Sequence, residues 1–186
     1  MTLFFTADPH FGHANILKYC NRPYPSIWDM DEAIISHWNN DVGEKDEIYC
    51  LGDFCFSDPM KYLMRLSGII HIVPGSHDEA LLHKKFAYWL CPPLFTVAPK
   101  GLTDEYGEQR KIILCHYSMR SWPRSHFASW HLFGHHHWKL APYGLSFDVG
   151  VDGHDFRPWS LEEIQKKMKT LHPIIDLRNI QGRDLH

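Results

Sequence analysis

Long apolar runs are missing from this chain: no segment approaches the roughly 20 apolar residues that a membrane-spanning helix needs, so no membrane span is expected. The opening Met1-Thr-Leu-Phe-Phe-Thr-Ala-Asp8 lacks the basic start and longer apolar stretch of a secretory signal. A cytoplasmic protein is therefore expected. Paired cysteines are lacking: Cys20, Cys50, Cys55, Cys91 and Cys115 are odd in number and form no C-x-x-C pair. That argues against a disulfide framework and a zinc ribbon, leaving buried free thiols as the expectation. Excess positive charge is also absent, the formal net charge being −3. Without a basic field, long DNA or RNA is disfavoured as a partner. Repeats, low-complexity stretches and linkers are lacking too, so a single domain over residues 1–186 is expected. Nothing in the sequence speaks to oligomeric state.

What is abundant is histidine, whose 15 copies nearly match the 19 Lys and Arg together. Apolar, β-prone runs recur and end on polar residues. Thr2 to Thr6 leads into Ala-Asp8-Pro-His10, Glu47 to Leu51 into Gly-Asp53, and Ile69 to Val73 into Pro-Gly-Ser76-His77-Asp78. Lys111 to Cys115 leads into His116, and Trp130 to Phe133 into Gly-His135-His-His137. Helical spacing is predicted between them, over Met30 to Asn39, over Pro59 to Leu66 after an Asp58 N-cap, and over Ala80 to Leu90. The later half reads as more β-rich, with Leu94 to Ala98 and Leu145 to Val151 as further strands. Ser160 and Glu163 have capping-box spacing for a closing helix that Pro173 stops. Strand and helix in alternation predict an α/β domain with ligands at the carboxyl ends of the strands. A two-sheet β-sandwich flanked by helices fits the β-rich second half.

The motifs D-x-H at Asp8 and His10 and H-x-H at His135 and His137 put both side chains on one side if the backbone stays extended. Taken in order, D-x-H, G-D, G-S-H-D, H and G-H-x-H resemble the calcineurin-like metallophosphoesterases, whose pattern has Asn where this chain has Ser76. His10-Phe-Gly-His13-Ala-Asn15, Asn21-Arg22-Pro23, Met30-Asp-Glu and Pro158-Trp-Ser-Leu-Glu-Glu-Ile extend the resemblance to small single-domain bacterial and phage members, mostly described as predicted phosphoesterases.

The resemblance implies that Asp8, His10 and His137 hold one metal, that His116, His135 and the Ser76 position hold a second, and that Asp53 bridges them. Two carboxylates and four imidazoles favour two divalent transition-metal ions, Mn first, with Fe, Zn, Co or Ni as alternatives. It further implies hydrolysis of a small phosphorylated substrate, a phosphomonoester or phosphodiester of nucleotide type, by in-line attack of a hydroxide between the metals. His77 would be the general acid and Asp78 its partner carboxylate. Arg22, Asn15 and His13 are candidates for holding the substrate, with amides after Phe11 as further anion donors. Phe56-Ser57-Asp58 stands where the protein-phosphatase branch has Asp-Arg-Gly, which disfavours that activity. Ser76 carries a shorter side chain than Asn, so weaker occupancy of the second metal position is expected. The alternative reading is a catalytically weakened or non-catalytic binding module on the same fold. His136 is read as packing rather than ligating, and Ser118 to Trp130 as an amphipathic loop packed on the domain.

Overall fold

A computed structural model describes residues 1–174. The element order is β1 (Leu3–Thr6), α1 (Ile16–Tyr19), α2 (Ile27–Asp41), β2 (Glu47–Cys50), α3 (Met60–Leu63), β3 (Ile69–Ile72), β4 (Leu94–Val97), β5 (Ile112–Cys115), β6 (Trp130–Phe133), β7 (Ser146–Asp148), β8 (Trp159–Ser160) and α4 (Leu161–Met168). The strands form two four-stranded sheets, ordered β3-β2-β1-β8 and β4-β5-β6-β7. In the first, β1, β2 and β3 run parallel and β8 antiparallel to β1. In the second, β5, β6 and β7 are parallel and β4 antiparallel to β5.

The continuous apolar runs of β1 and β2 follow from burial on both faces. Phe4, Ile48 and Cys50 point into a core shared with Met30, Ile34 and Trp38 of α2. Their neighbours Phe5, Tyr49 and Leu51 point into a second core against Ile112, Leu114, Leu132 and Phe147 of the other sheet. Strand alternation thus sends successive residues to the helix layer and to the sheet interface. This is a mixed α/β architecture of two sheets flanked by helices, as the sequence led us to expect.

Strand ends fall close to their predicted places, and the capping box at α4 forms, with Ser160 Oγ accepting from Glu163 N (3.3 Å) and Glu163 Oε2 from Ser160 N (2.8 Å). The helix ends at Met168, before Pro173. Three predictions need correction. The helix expected from Pro59 is regular only over Met60–Leu63, with Asp58 Oδ1 capping Met60 N, and it unwinds before Gly68. The helix expected over 80–90 is two 3-10 turns, Glu79–Leu82 and Lys84–Phe86, separated by extended His83. Its apolar residues make no single stripe: Leu81 and Phe86 are buried, whereas Tyr88 is 80 % exposed. Of its aromatic residues, Phe86 enters the core and Trp89 packs half-buried against it. Finally, β7 stops at Asp148 and a 3-10 turn, Val151–Gly153, follows.

All five cysteines are free, though only Cys50 and Cys55 are fully buried. Among the described residues no helix is long and apolar enough to cross a membrane. The loop from Ser118 to Trp130 packs through Trp122, which is buried in the inter-sheet core with its Nε1 donating to Ser129 O.

Candidate metal centre

The D-x-H and H-x-H segments are not extended. Asp8, His10, Asp53, His135 and His137 all adopt positive φ, between 48° and 71°. Left-handed backbone is uncommon outside glycine and clusters where surrounding structure over-determines it. Each of these residues follows a strand, and each turn is fastened across the chain. Asp8 N donates to Gly52 O, His10 N to Asp53 O and Gly134 N to His116 O, all at 3.0–3.1 Å. The convergence of side chains therefore comes from turning the backbone, not from strand alternation. Gly52, at φ +87°, is required twice over: a Cβ there would fall 2.5 Å from Gly75 N and 2.7 Å from His116 Nδ1.

These turns assemble two groups. Ligating atoms of Asp8, His10 and His137 lie within 4.8 Å of one another, as do those of Asp53, His116 and His135. Asp53 joins the groups, with Oδ2 3.6 Å from His10 Nε2 and Oδ1 3.5 Å from His116 Nε2. Ring orientations are set from behind. His116 Nδ1 bonds Leu51 O at 2.8 Å, turning Nε2 toward Asp53 and His135. His137 Nδ1 bonds Asp152 Oδ2 at 2.8 Å. A second nitrogen tied to a carbonyl or carboxylate is how metal-ligating histidines are oriented.

Two buried polar atoms here lack any hydrogen-bond partner, Asp8 Oδ1 and His10 Nε2. Unpaired buried polar groups are costly, and a divalent cation is the group that both an imidazole lone pair and a carboxylate oxygen would satisfy. Burial raises the Asp8 carboxyl well above its usual range, and burial, aided by Arg22, lowers His10 to about 2. At His137 burial opposes protonation, but hydrogen bonds to Asp152 and Cys20 and the Asp8 and Asp152 charges outweigh it, holding it up at about 10. Burial and neighbouring His116 lower His135. Cys20 forms a further group with His137 and Asp152, but both Asp152 oxygens are already engaged by Arg22 and His137.

The remaining predicted site residues divide. His77 is exposed at the rim, with its backbone N–H donating to Asp53 Oδ1 (2.9 Å) and its ring 4.8 Å from that of Phe56. Ser76 Oγ donates to both Asp53 oxygens at 3.2 Å. Its hydroxyl proton is thus directed at the carboxylate that joins the groups. His13 stacks on Phe56 at 3.9 Å and brings Nδ1 to 3.4 Å from His10 Nδ1. Asn15 is exposed, with no side-chain cap on the four-residue α1. The amide of Gly12, expected to face an anion, donates instead to Asp31.

Two assignments are corrected. Asp78 does not reach toward His77 as a partner carboxylate. It is buried and accepts from the amides of Asp53, Phe54 and Gly75 at 2.7–2.9 Å, stitching two loops together. Arg22 does not face a substrate. Its guanidinium is buried, and its five donors are matched by both Asp152 oxygens, the Asp8 and Pro9 carbonyls and Met30 Sδ. Asp152 and Phe56 are the site residues that sequence reasoning missed. Asp152 lies one residue past the predicted end of β7, and no local pattern marks its contact with Arg22, 130 positions away. His136 packs outward, its Nε2 3.1 Å from Ser118 Oγ, in keeping with a packing role.

Compared with known proteins, the chain is 32 % identical over 190 residues to the uncharacterized protein MJ1445 of Methanocaldococcus jannaschii, covering 94 % of this chain and 97 % of that one. The chain belongs to the MJ1445 family. The gene 66 protein of Mycobacterium phage D29 is a more distant relative, 23 % identical over 197 residues, with 91 % and 96 % covered. A solved structure, the protein of unknown function AQ665 from Aquifex aeolicus, superposes with a TM-score of 0.68 at 22 % identity. It covers 89 % of this chain and 98 % of its own, so the fold is shared by the MJ1445-family chain and AQ665. No family model matches the chain.

Proposed function

We propose that this chain is a dinuclear, metal-dependent phosphoesterase of the calcineurin-like superfamily, acting on a small phosphomonoester or phosphodiester of nucleotide type. The observation that carries the reading is the meeting of the Asp8–His10–His137 and Asp53–His116–His135 groups at one carboxylate, with Asp8 Oδ1 and His10 Nε2 buried and unbonded. Asp8, His10 and His137 would hold one cation, His116 and His135 the other, and Asp53 would lie between them. A donor set of carboxylates and imidazoles suits Mn, Fe, Zn, Co or Ni better than magnesium. When bound, such a pair makes water acidic enough to serve as nucleophile near neutral pH and neutralises charge on the phosphoryl oxygens.

The chain's own residues supply the rest. The Leu51 carbonyl and the Asp152 carboxylate hold His116 and His137 in the ring orientations that ligation needs. His77, at the exposed rim and tied to Asp53 through its amide, delivers the proton to the leaving oxygen in this reading. With manganese supplied, the protein should cleave a generic aryl phosphomonoester or phosphodiester, and His77→Ala should lower kcat by roughly 10²–10⁴. No cleavage of either ester by the parent, with no effect of His77→Ala, would end the proposal.

The Ser76 contact favours a second reading, an enzyme weakened at the His116–His135 position or a binding module. Protein purified without added metal should then carry well under two equivalents of cation. Ser76→Asn should raise both the bound metal and the turnover. Two tightly held metals in the parent would rule out the weakened site, whereas turnover absent from parent and Ser76→Asn alike would indicate a scaffold.

A further inference from the structure

A cavity of about 420 Å³ opens beside the metal centre on the side of β5 and β6. Its position is fixed by two strand exits: Ser118 stands two residues after His116, and Leu140 three after His137. Ser118 Oγ bonds His136 Nε2 at 3.1 Å, and the His136 ring lies 5.1 Å from that of His135. One imidazole ring therefore separates the cavity wall from a residue of the Asp53–His116–His135 group.

The walls are largely apolar, formed by Met119, Phe133, Leu140, Pro142 and Tyr143. Leu140 and Tyr143 are 41 % and 46 % exposed, so apolar surface faces an open space. The polar groups are few, the Ser118, Tyr143 and Ser146 hydroxyls and the Arg120 guanidinium, and the Arg120 side chain makes no ion pair or hydrogen bond among the described residues. The volume lies within the ~300–1,000 Å³ of small-molecule sites, and apolar walls with a few convergent polar groups are their usual lining. A thioether, a proline and aromatic rings suit the faces of a planar ring. Hydroxyls and a guanidinium among the lining residues suit its hydrogen-bonding edge.

We infer that this cavity is the subsite for the base of a nucleoside phosphoester whose phosphoryl group lies at the metal centre. The inference rests on the phosphoesterase reading for the phosphoryl end, but the cavity's own affinity for a nucleoside does not need catalysis. Ala141 lines the cavity and is exposed, so Ala141→Trp fills the space without entering a core. Arg120→Ala removes an exposed side chain and leaves the walls intact.

Calorimetric titration of the metal-free protein with adenosine and with thymidine separates the two ideas. Saturable binding of at least one nucleoside by the parent is expected, weakened roughly tenfold or more by Ala141→Trp and about threefold by Arg120→Ala. Manganese-loaded protein should show the same Ala141→Trp effect as a raised KM for a nucleoside phosphoester, with kcat/KM for ethyl phosphate unchanged. Neither nucleoside bound by the parent, or equal binding by parent and Ala141→Trp, overturns the subsite. Nucleoside binding without cleavage of any ester would leave the subsite standing and remove the phosphoesterase reading instead.

Discussion

Asp78→Ala is expected to lower the free energy of unfolding by roughly 3 kcal/mol or more, because it strands three amides at once. Asp78 Oδ2 accepts from Asp53 N (2.8 Å) and Gly75 N (2.7 Å), and Oδ1 from Phe54 N (2.9 Å). A buried donor left without a partner costs about 1–3 kcal/mol. Burial raises the carboxyl's pKa, and the amides of Gly75, Phe54 and Asp53 pull it back. This carboxylate ties the loop after β2 to the loop after β3, the two that present Asp53, Ser76 and His77. Asp78→Asn should lose less, since its carbonyl oxygen still accepts on one side while its NH₂ opposes an amide on the other. Urea unfolding followed by circular dichroism measures both. If Asp78→Ala were as stable as the parent while turnover collapsed, Asp78 would be acting on His77 after all.

Arg22 carries the second large effect. Replacing it by methionine should cost about 3–5 kcal/mol, the scale for breaking a buried pair and leaving one charge alone. The side chain is fully buried against Asp152, both Nε and Nη2 lying 2.8 Å from its oxygens. The same guanidinium holds the Asp8 carbonyl at 2.7 Å and the Pro9 carbonyl at 2.9 Å, so it supports the left-handed turn that aims Asp8 and His10. Asp152 in turn bonds His137. Cation affinity should therefore fall by roughly 10–100-fold, the usual scale for loss of an outer support. Arg22→Lys should rescue little, because one ammonium cannot span two carboxylate oxygens and two carbonyls. Metal titration beside urea unfolding reads both effects. A stable Arg22→Lys protein with unchanged metal affinity and a raised substrate KM would instead put Arg22 at the substrate, as the sequence suggested.

How legible the site was depends on the range of the interaction. The strand ends at Thr6, Cys50, Ile72, Cys115 and Phe133 show because apolar runs stop at polar residues, a local signal within a few positions. The cap at Ser160 and Glu163 shows for the same reason, being three residues wide. The helix expected over 80–90 fails because spacing alone does not say which side chains have a core to enter, and there only Leu81 and Phe86 do. Asp78 departs from the role its place beside His77 suggests because neighbours in sequence need not face one another. Its oxygens turn to amides 24 and 25 positions back.

By itself the sequence determined the alternating strand plan and the identity of the histidines and aspartates that gather at strand exits. Only the tertiary structure decided which way those residues point. Five of the six converge through left-handed turns that extended motifs would not suggest. It also decided that Arg22 and Asp152 stand behind the candidate ligands, that Phe56 stacks on His13, and that a cavity opens after β5 and β6. The physical reason is that patterning acts through neighbours along the chain, whereas these orientations are set by contacts such as Asp8 to His135, 127 positions apart.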